Sequence, residues 1–109
     1  MGGLLCYLAV FFNMTIETLK NSELSSVIFI RDYLQFVFEG EQTATLTAYT
    51  LPLTFVGGRK YNSHTVGYRD ALVSLINQVV KESVVQDGHA ISIIFDNGDG
   101  VEISLKEDG

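Results

Sequence analysis

Between residues 75 and 105 the chain reads LINQVVKESVVQDGHAISIIFDNGDGVEISL, and its apolar residues change from helical spacing to a spacing of two. A spacing of two puts successive side chains on opposite faces of a strand. Asp87-Gly88 and Asn97-Gly98 divide the stretch, and Asp-Gly and Asn-Gly are strong signals for tight hairpins. The stretch predicts a helix end followed by strands over 79–86, 89–95 and 101–105. Ile91, Ile93 and Phe95 share one face; Val101, Ile103 and Leu105 alternate with Glu102, Ser104 and Lys106.

Residues 19–46, LKNSELSSVIFIRDYLQFVFEGEQTATL, read as a worn copy of the same stretch. At an offset of 56, Leu19 meets Leu75, Asn21 meets Asn77, Leu24 meets Val80 and Ile28 meets Val84. One extra residue moves the offset to 57, where Leu34 meets Ile91, Phe36 meets Ile93, Phe38 meets Phe95 and Glu39 meets Asp96. Each copy is a meander with an apolar face it cannot bury alone. Two copies about a pseudo-twofold axis could bury those faces together, or against a helix over 66–78. The alternative is that any two antiparallel meanders look alike.

The rest of the chain fits around these copies. Strands are expected over 26–30, 33–39 and 43–50, and a short helix over 15–21 with Asn21 in a left-handed position. Residues 66–78 predict the one principal helix. Its stripe is Tyr68, Ala71, Leu72, Leu75, Ile76 and Val79, with Thr65 or Ser63 as cap. Pro52, the one proline, makes LPLTFV an edge strand or a piece beyond the sheet. Gly57-Gly58 break the pattern, and 59–65 reads as polar loop. The expected fold class is α+β: about six antiparallel strands as two pseudo-repeated three-stranded meanders, with one main helix between them. The domain spans 14–109, the first repeat about 15–56 and the second about 63–106.

R-D-A-L-x-x-L-I-N from Arg69, V-x-x-x-x-V from Val79 and I-x-F-D-N-G from Ile93 resemble a group of small bacterial domains of unknown function. Those carry L-I-G-x-x-V followed by L-x-F-x-D-G-x-x-L-x-V. The likeness covers mainly residues 69–105. It departs at Asn77, where the group has glycine, and at DNGDG, where it has one D-G. It implies kinship of fold, and it brings no activity. Some members look like immunity or accessory proteins of bacterial toxin systems.

A length of 109 residues, 47% of them hydrophobic, is enough for one domain with its own core. The net charge of −6 repels phosphate backbones, so nucleic acid is not an expected partner. The charge is uneven: residues 57–70 hold three of the seven basic residues, Arg59, Lys60 and Arg69, against one acid, Asp70. Cys6 stands alone, which excludes an internal disulfide framework and a cysteine-based metal site and fits a cytoplasmic location. Residues 2–12, GGLLCYLAVFF, are too short for a membrane span of roughly 20 residues and lack the charged start of a signal peptide. Residues 1–13 read as an upstream extension before a start at Met14, as an added core segment, or as a targeting segment. No membrane association is expected.

Asp96, Asn97, Asp99 and Glu102 invite a calcium loop, but glycines stand where the third and fifth oxygen ligands belong, so a type I′ hairpin turn is the better account. Gly57-Gly58 lacks the residues of a phosphate-binding loop. His89 flanks a turn. Arg59, Lys60, Tyr61, Asn62, His64, Tyr68 and Arg69 are the one cluster whose residue types could hold an anion or move a proton, with Arg59, Lys60, Tyr61, His64 and Arg69 as the candidate ligand-binding residues; the plain reading is a solvated loop that caps a helix. No nucleophile–base pair is discernible, and no pattern asks for a cofactor or a metal. Val37, Tyr49 and Ile94 are apolar on faces that alternation assigns to solvent, which predicts a covered second surface. Three readings follow: a non-enzymatic module that binds a basic protein partner, immunity- or accessory-like; a self-associating homodimer; or an anionic-ligand or enzyme site in the 59–70 loop.

Overall fold

The computed structural model describes residues 19–86 and 90–104. In chain order its elements are β1 (Glu23–Ile30), β2 (Tyr33–Glu39), β3 (Thr43–Ala48), β4 (Leu53–Val56), β5 (Arg59–Tyr61), α1 (Tyr68–Val73), β6 (Val80–Gln86), β7 (Ala90–Phe95) and β8 (Gly100–Ser104). β1, β2 and β3 form a three-stranded sheet; a five-stranded sheet runs β5-β4-β8-β7-β6, and all pairings are antiparallel. With 57% strand and 8% helix, the described chain is mostly β. This corrects the expected α+β class, its count of about six strands and its main helix.

Two local causes account for the correction. Gly57 and Gly58 both have positive φ, 61° and 80°, so they form the two-residue turn that matches strand twist and fold 59–61 back as β5. The glycines that seemed to break the pattern build a hairpin. The expected polar loop is a strand in its first three residues. β4 is no edge strand, because it lies between β5 and β8; Pro52 stands just before it, so no ladder bond is lost.

The second cause is the early end of the helix. Gly67 stands at its N-cap with φ 89° and no side-chain cap. After Val73 the amides of Leu75, Ile76 and Gln78 bond three residues back, to Leu72, Val73 and Leu75, in tightened turns. Asn77 then takes φ 82°, and its amide donates to the Leu24 carbonyl of β1 at 2.7 Å. The stripe still buries Tyr68, Ala71, Leu72 and Leu75, but Val66, expected inside the helix, is 95% exposed.

The two sheets meet where β1 and β6 begin. Asn21 N–H donates to Val80 O at 2.8 Å and Asn77 N–H to Leu24 O at 2.7 Å; Val80 N–H donates to Ser22 O at 2.8 Å and Leu24 N–H to Gln78 O at 2.9 Å. An offset of 56 exchanges the two bonds of each couple, relating Asn21 to Asn77, Ser22 to Gln78 and Leu24 to Val80. Glu23 bridges Val79, a pair that maps onto itself. Asn21 and Asn77 are both left-handed, and β1 and β6 each carry a bulge one residue past the junction, between Leu24 and Ser26 and between Val80 and Glu82. The junction thus has local two-fold symmetry. The halves differ beyond it: the β6–β7–β8 meander is not a sheet of its own, because β4 and β5 extend it past β8.

One core joins both sheets: Leu24, Leu34, Phe36, Phe38 and Leu46 from the first, Val80, Ile91, Ile93, Phe95, Val101 and Ile103 from the second, with Leu19, Leu72 and Leu75. Each such large side chain contributes about 1.5–3 kcal/mol by leaving water. α1 packs against β4 and β1. The Asn97-Gly98 turn also departs from expectation. Only Gly98, at φ 94°, is left-handed; its amide bonds Phe95 O at 2.9 Å and Phe95 N–H bonds Asp99 O at 2.8 Å. That is a three-residue loop with a glycine bulge and not a type I′ turn. Residues 1–18, Asp87-Gly88 and His89 lie outside the described residues, as does most of the helix expected over 15–21.

Candidate functional site

The five basic and aromatic candidates of the 59–70 segment are held by three different pieces of structure. Arg59 and Tyr61 lie two apart on β5 and share a face; the Arg59 guanidinium carbon stands 5.7 Å from the Tyr61 ring centroid, a cation–π contact. Lys60 points to the other face, beside Phe55 of β4. Tyr61 is half-buried against the core, while Arg59 and Lys60 are exposed.

Residues 62–65 close on themselves. Asn62 Oδ1 accepts from His64 N–H at 2.8 Å, Asn62 N–H donates to Thr65 Oγ1 at 2.9 Å, and Thr65 N–H donates to Asn62 O at 2.9 Å. Thr65 therefore caps this turn and not the helix, and His64 is exposed on it. Arg69 leaves the cluster: its guanidinium lies 5.4 Å over the ring of Phe29 on β1, in the other sheet. The structure brings Arg59 and Tyr61 together, turns Lys60 away, leaves His64 on the turn, and sets Arg69 on a different aromatic.

Behind this segment lies a buried polar group whose hydrogen bond the sequence does not show. Tyr68 opens α1 at 7% exposure, and its hydroxyl donates to Pro52 O at 2.5 Å. Burial pushes its pKa up from 10.0 to about 12, with the Thr54 hydroxyl acting weakly the other way. Thr54 Oγ1 is fully buried beside it and has no partner in hydrogen-bond geometry. The sequence set Tyr68 both on the apolar stripe of the helix and in the polar cluster of this segment; the structure places it in the core.

The second candidate surface is the outer face of the three-stranded sheet. Register and alternation place Ile28, Ile30, Tyr33, Gln35, Val37 and Thr45 on it, with Tyr49 just past β3. Tyr33 and Tyr49 are in contact, ring centroids 5.2 Å apart. Tyr49 is 48% exposed and Ile28 39%. Val37 and Tyr49 belong to this face, but Ile94 lies on the outer face of the other sheet, so the three do not form one patch. Ile28 and Ile30 escaped the sequence reading, although SVIFI, apolar without alternation, signals a strand with apolar side chains on both faces. Around this face Asp32, Glu39 and Glu41 are exposed, and Glu23 stands directly opposite Glu39.

Among the described residues no helix is long and apolar enough to cross a membrane, and no three His, Cys, Asp or Glu side chains gather as a metal site. Compared with known protein families, curated proteins and solved structures, the chain matches none.

Proposed function

We propose that this chain is a non-enzymatic protein-binding module whose partner docks on the outer face of the three-stranded sheet. The observation that carries this reading is the uncharged strip of Ile28, Ile30, Tyr33 and Tyr49, with its two tyrosines in contact. Tyrosine supplies large, stiff contact area and an interface is commonly built around such anchors. The exposed carboxylates of Asp32, Glu39 and Glu41 favour a partner whose apolar patch has a basic rim. The resemblance of residues 69–105 to small bacterial domains, some of them immunity- or accessory-like, agrees with such a role.

A ligand or enzyme site in the 59–70 segment is less well supported, because Arg59 and Arg69 are stacked on different aromatics. The test is affinity capture with the full chain and with an Ile28→Lys/Tyr49→Lys variant of unchanged circular dichroism. A stoichiometric basic partner held by the native chain and lost by the variant is the expected result. A partner kept by that variant and lost by Arg59→Ala/Arg69→Ala would overturn the reading in favour of the loop.

A further inference from the structure

A sheet edge presents unpaired backbone donors and acceptors, and stable proteins defend each edge by charge, bulges, shortness or cover. Among the described residues the four edge strands are β1, β3, β5 and β6. β1 has a bulge, α1 packed against it and Arg69 over Phe29. β5 is 3 residues long and carries Arg59 and Lys60. β6 has a bulge and exposes Lys81 and Glu82. Among the described residues β3 has none of these. Its sequence is TATLTA, and its pairing with β2 runs without a shift from Glu39↔Thr43 to Leu34↔Ala48. No charged residue or bulge interrupts it, and the chain carries no charge from Gln42 to Gly58.

The same molecule shows what such an edge accepts. β8 is the third strand of its meander, as β3 is of the other, and the far edge of β8 carries β4 in antiparallel register, Thr54 against Val101. Among the described residues the far edge of β3 carries no strand.

We propose that the far edge of β3 is occupied by β3 of a second copy, antiparallel about a two-fold axis, so that two three-stranded sheets merge into one. Self-association of this chain must be symmetric, because every other edge that β3 could meet is defended. The two-fold arrangement pairs threonines with threonines on the outer face, a favourable cross-strand combination. It also brings no formal charge against its like, which a molecule of net charge −6 requires. The new sheet ends in two β1 edges, both defended, so the assembly closes at two copies. This interface is the edge of β3, and it stands or falls apart from the outer-face reading.

The test is light scattering of the full chain across concentration, with hydrogen exchange of the β3 amides. The native chain is expected at twice the 12.0 kDa chain mass, with β3 protection that rises with concentration. Thr45→Lys sets two cations opposite each other and should yield a monomer, at a dissociation constant raised at least a hundredfold. Thr43→Lys, at an exposed position, adds a cation at each end of the paired strands and serves as the second variant if Thr45→Lys fails to fold. Ile28→Lys, across the sheet on β1, should leave the mass unchanged, which separates this proposal from the outer-face reading. A native monomer at millimolar concentration overturns the proposal, as does a dimer that both lysine variants leave intact. β3 amides protected equally at all concentrations would overturn it too, since residues 1–18 of the same chain would then be the occupant.

Discussion

Tyr68 has its ring in the core and its hydroxyl on the Pro52 carbonyl. Its pKa of about 12 against 10.0 therefore reports a neutral form favoured by folding. The raised folded value means that the unfolded chain loses this proton first. The contribution is complete below pH 10 and is lost as pH rises from 10 toward 12. At about 1.4 kcal/mol per pH unit the whole effect is on the order of 2–3 kcal/mol. Denaturant unfolding of the native chain should weaken steeply above pH 10, while Tyr68→Phe should be less stable by about 1 kcal/mol at pH 7 and show a flatter alkaline limb. An equally steep limb in Tyr68→Phe would place the titration elsewhere. None of this was legible in sequence, because a tyrosine in a helical stripe looks the same whether its hydroxyl reaches solvent or a buried carbonyl.

At the scale of elements, alternation served well wherever a strand had one buried face. Leu34, Phe36 and Phe38 are all buried, as are Ile91, Ile93 and Phe95, as their spacing requires. It failed where turn chemistry or tertiary bonds decided the outcome. Residues 74–78 keep their buried Leu75, but their backbone leaves helical geometry to bond β1, a partner that local periodicity cannot foresee. β5 was missed because three polar or aromatic residues have no alternation to read; the glycine pair before them was the signal. Gly57 and Gly58 sit at φ 61° and 80°, and a β-branched side chain there is a severe backbone outlier. Gly58→Val should cost about 1–2 kcal/mol and loosen β5 selectively. Hydrogen exchange checks this: amides of β5 should speed up far more than those of β7. For the candidate site, sequence found the residue types but not their directions, since Arg59 and Arg69 select different rings only once two sheets are packed.

For the whole molecule, the question is whether two sheets unfold as one. The offset of 56 read in the sequence is the same offset that relates the reciprocal bonds at the junction, from Asn21 to Val80 and from Asn77 to Leu24. Such bonds exist only when both halves are in place, so the starts of β1 and β6 are bonded to each other only in the joined molecule. Leu19 and Leu75 stand at matching positions beside that junction, both at 0% exposure and both in the shared core. Truncating either should therefore destabilise both sheets together. Leu19→Ala and Leu75→Ala should each cost about 2–5 kcal/mol, the range for emptying a buried leucine site. Each should shift a single transition, with the slowest amides of β2 and β7 losing protection by the same factor. Native-state exchange on the two variants decides the matter. If Leu75→Ala lowered protection in β7 while β2 kept its native value, the three-stranded sheet would be stable by itself and the junction only a contact. A common loss would mean that the reciprocal bonds and the shared core make one cooperative unit, which lets the far edge of β3 and the outer face be altered as surface features without taking the core apart.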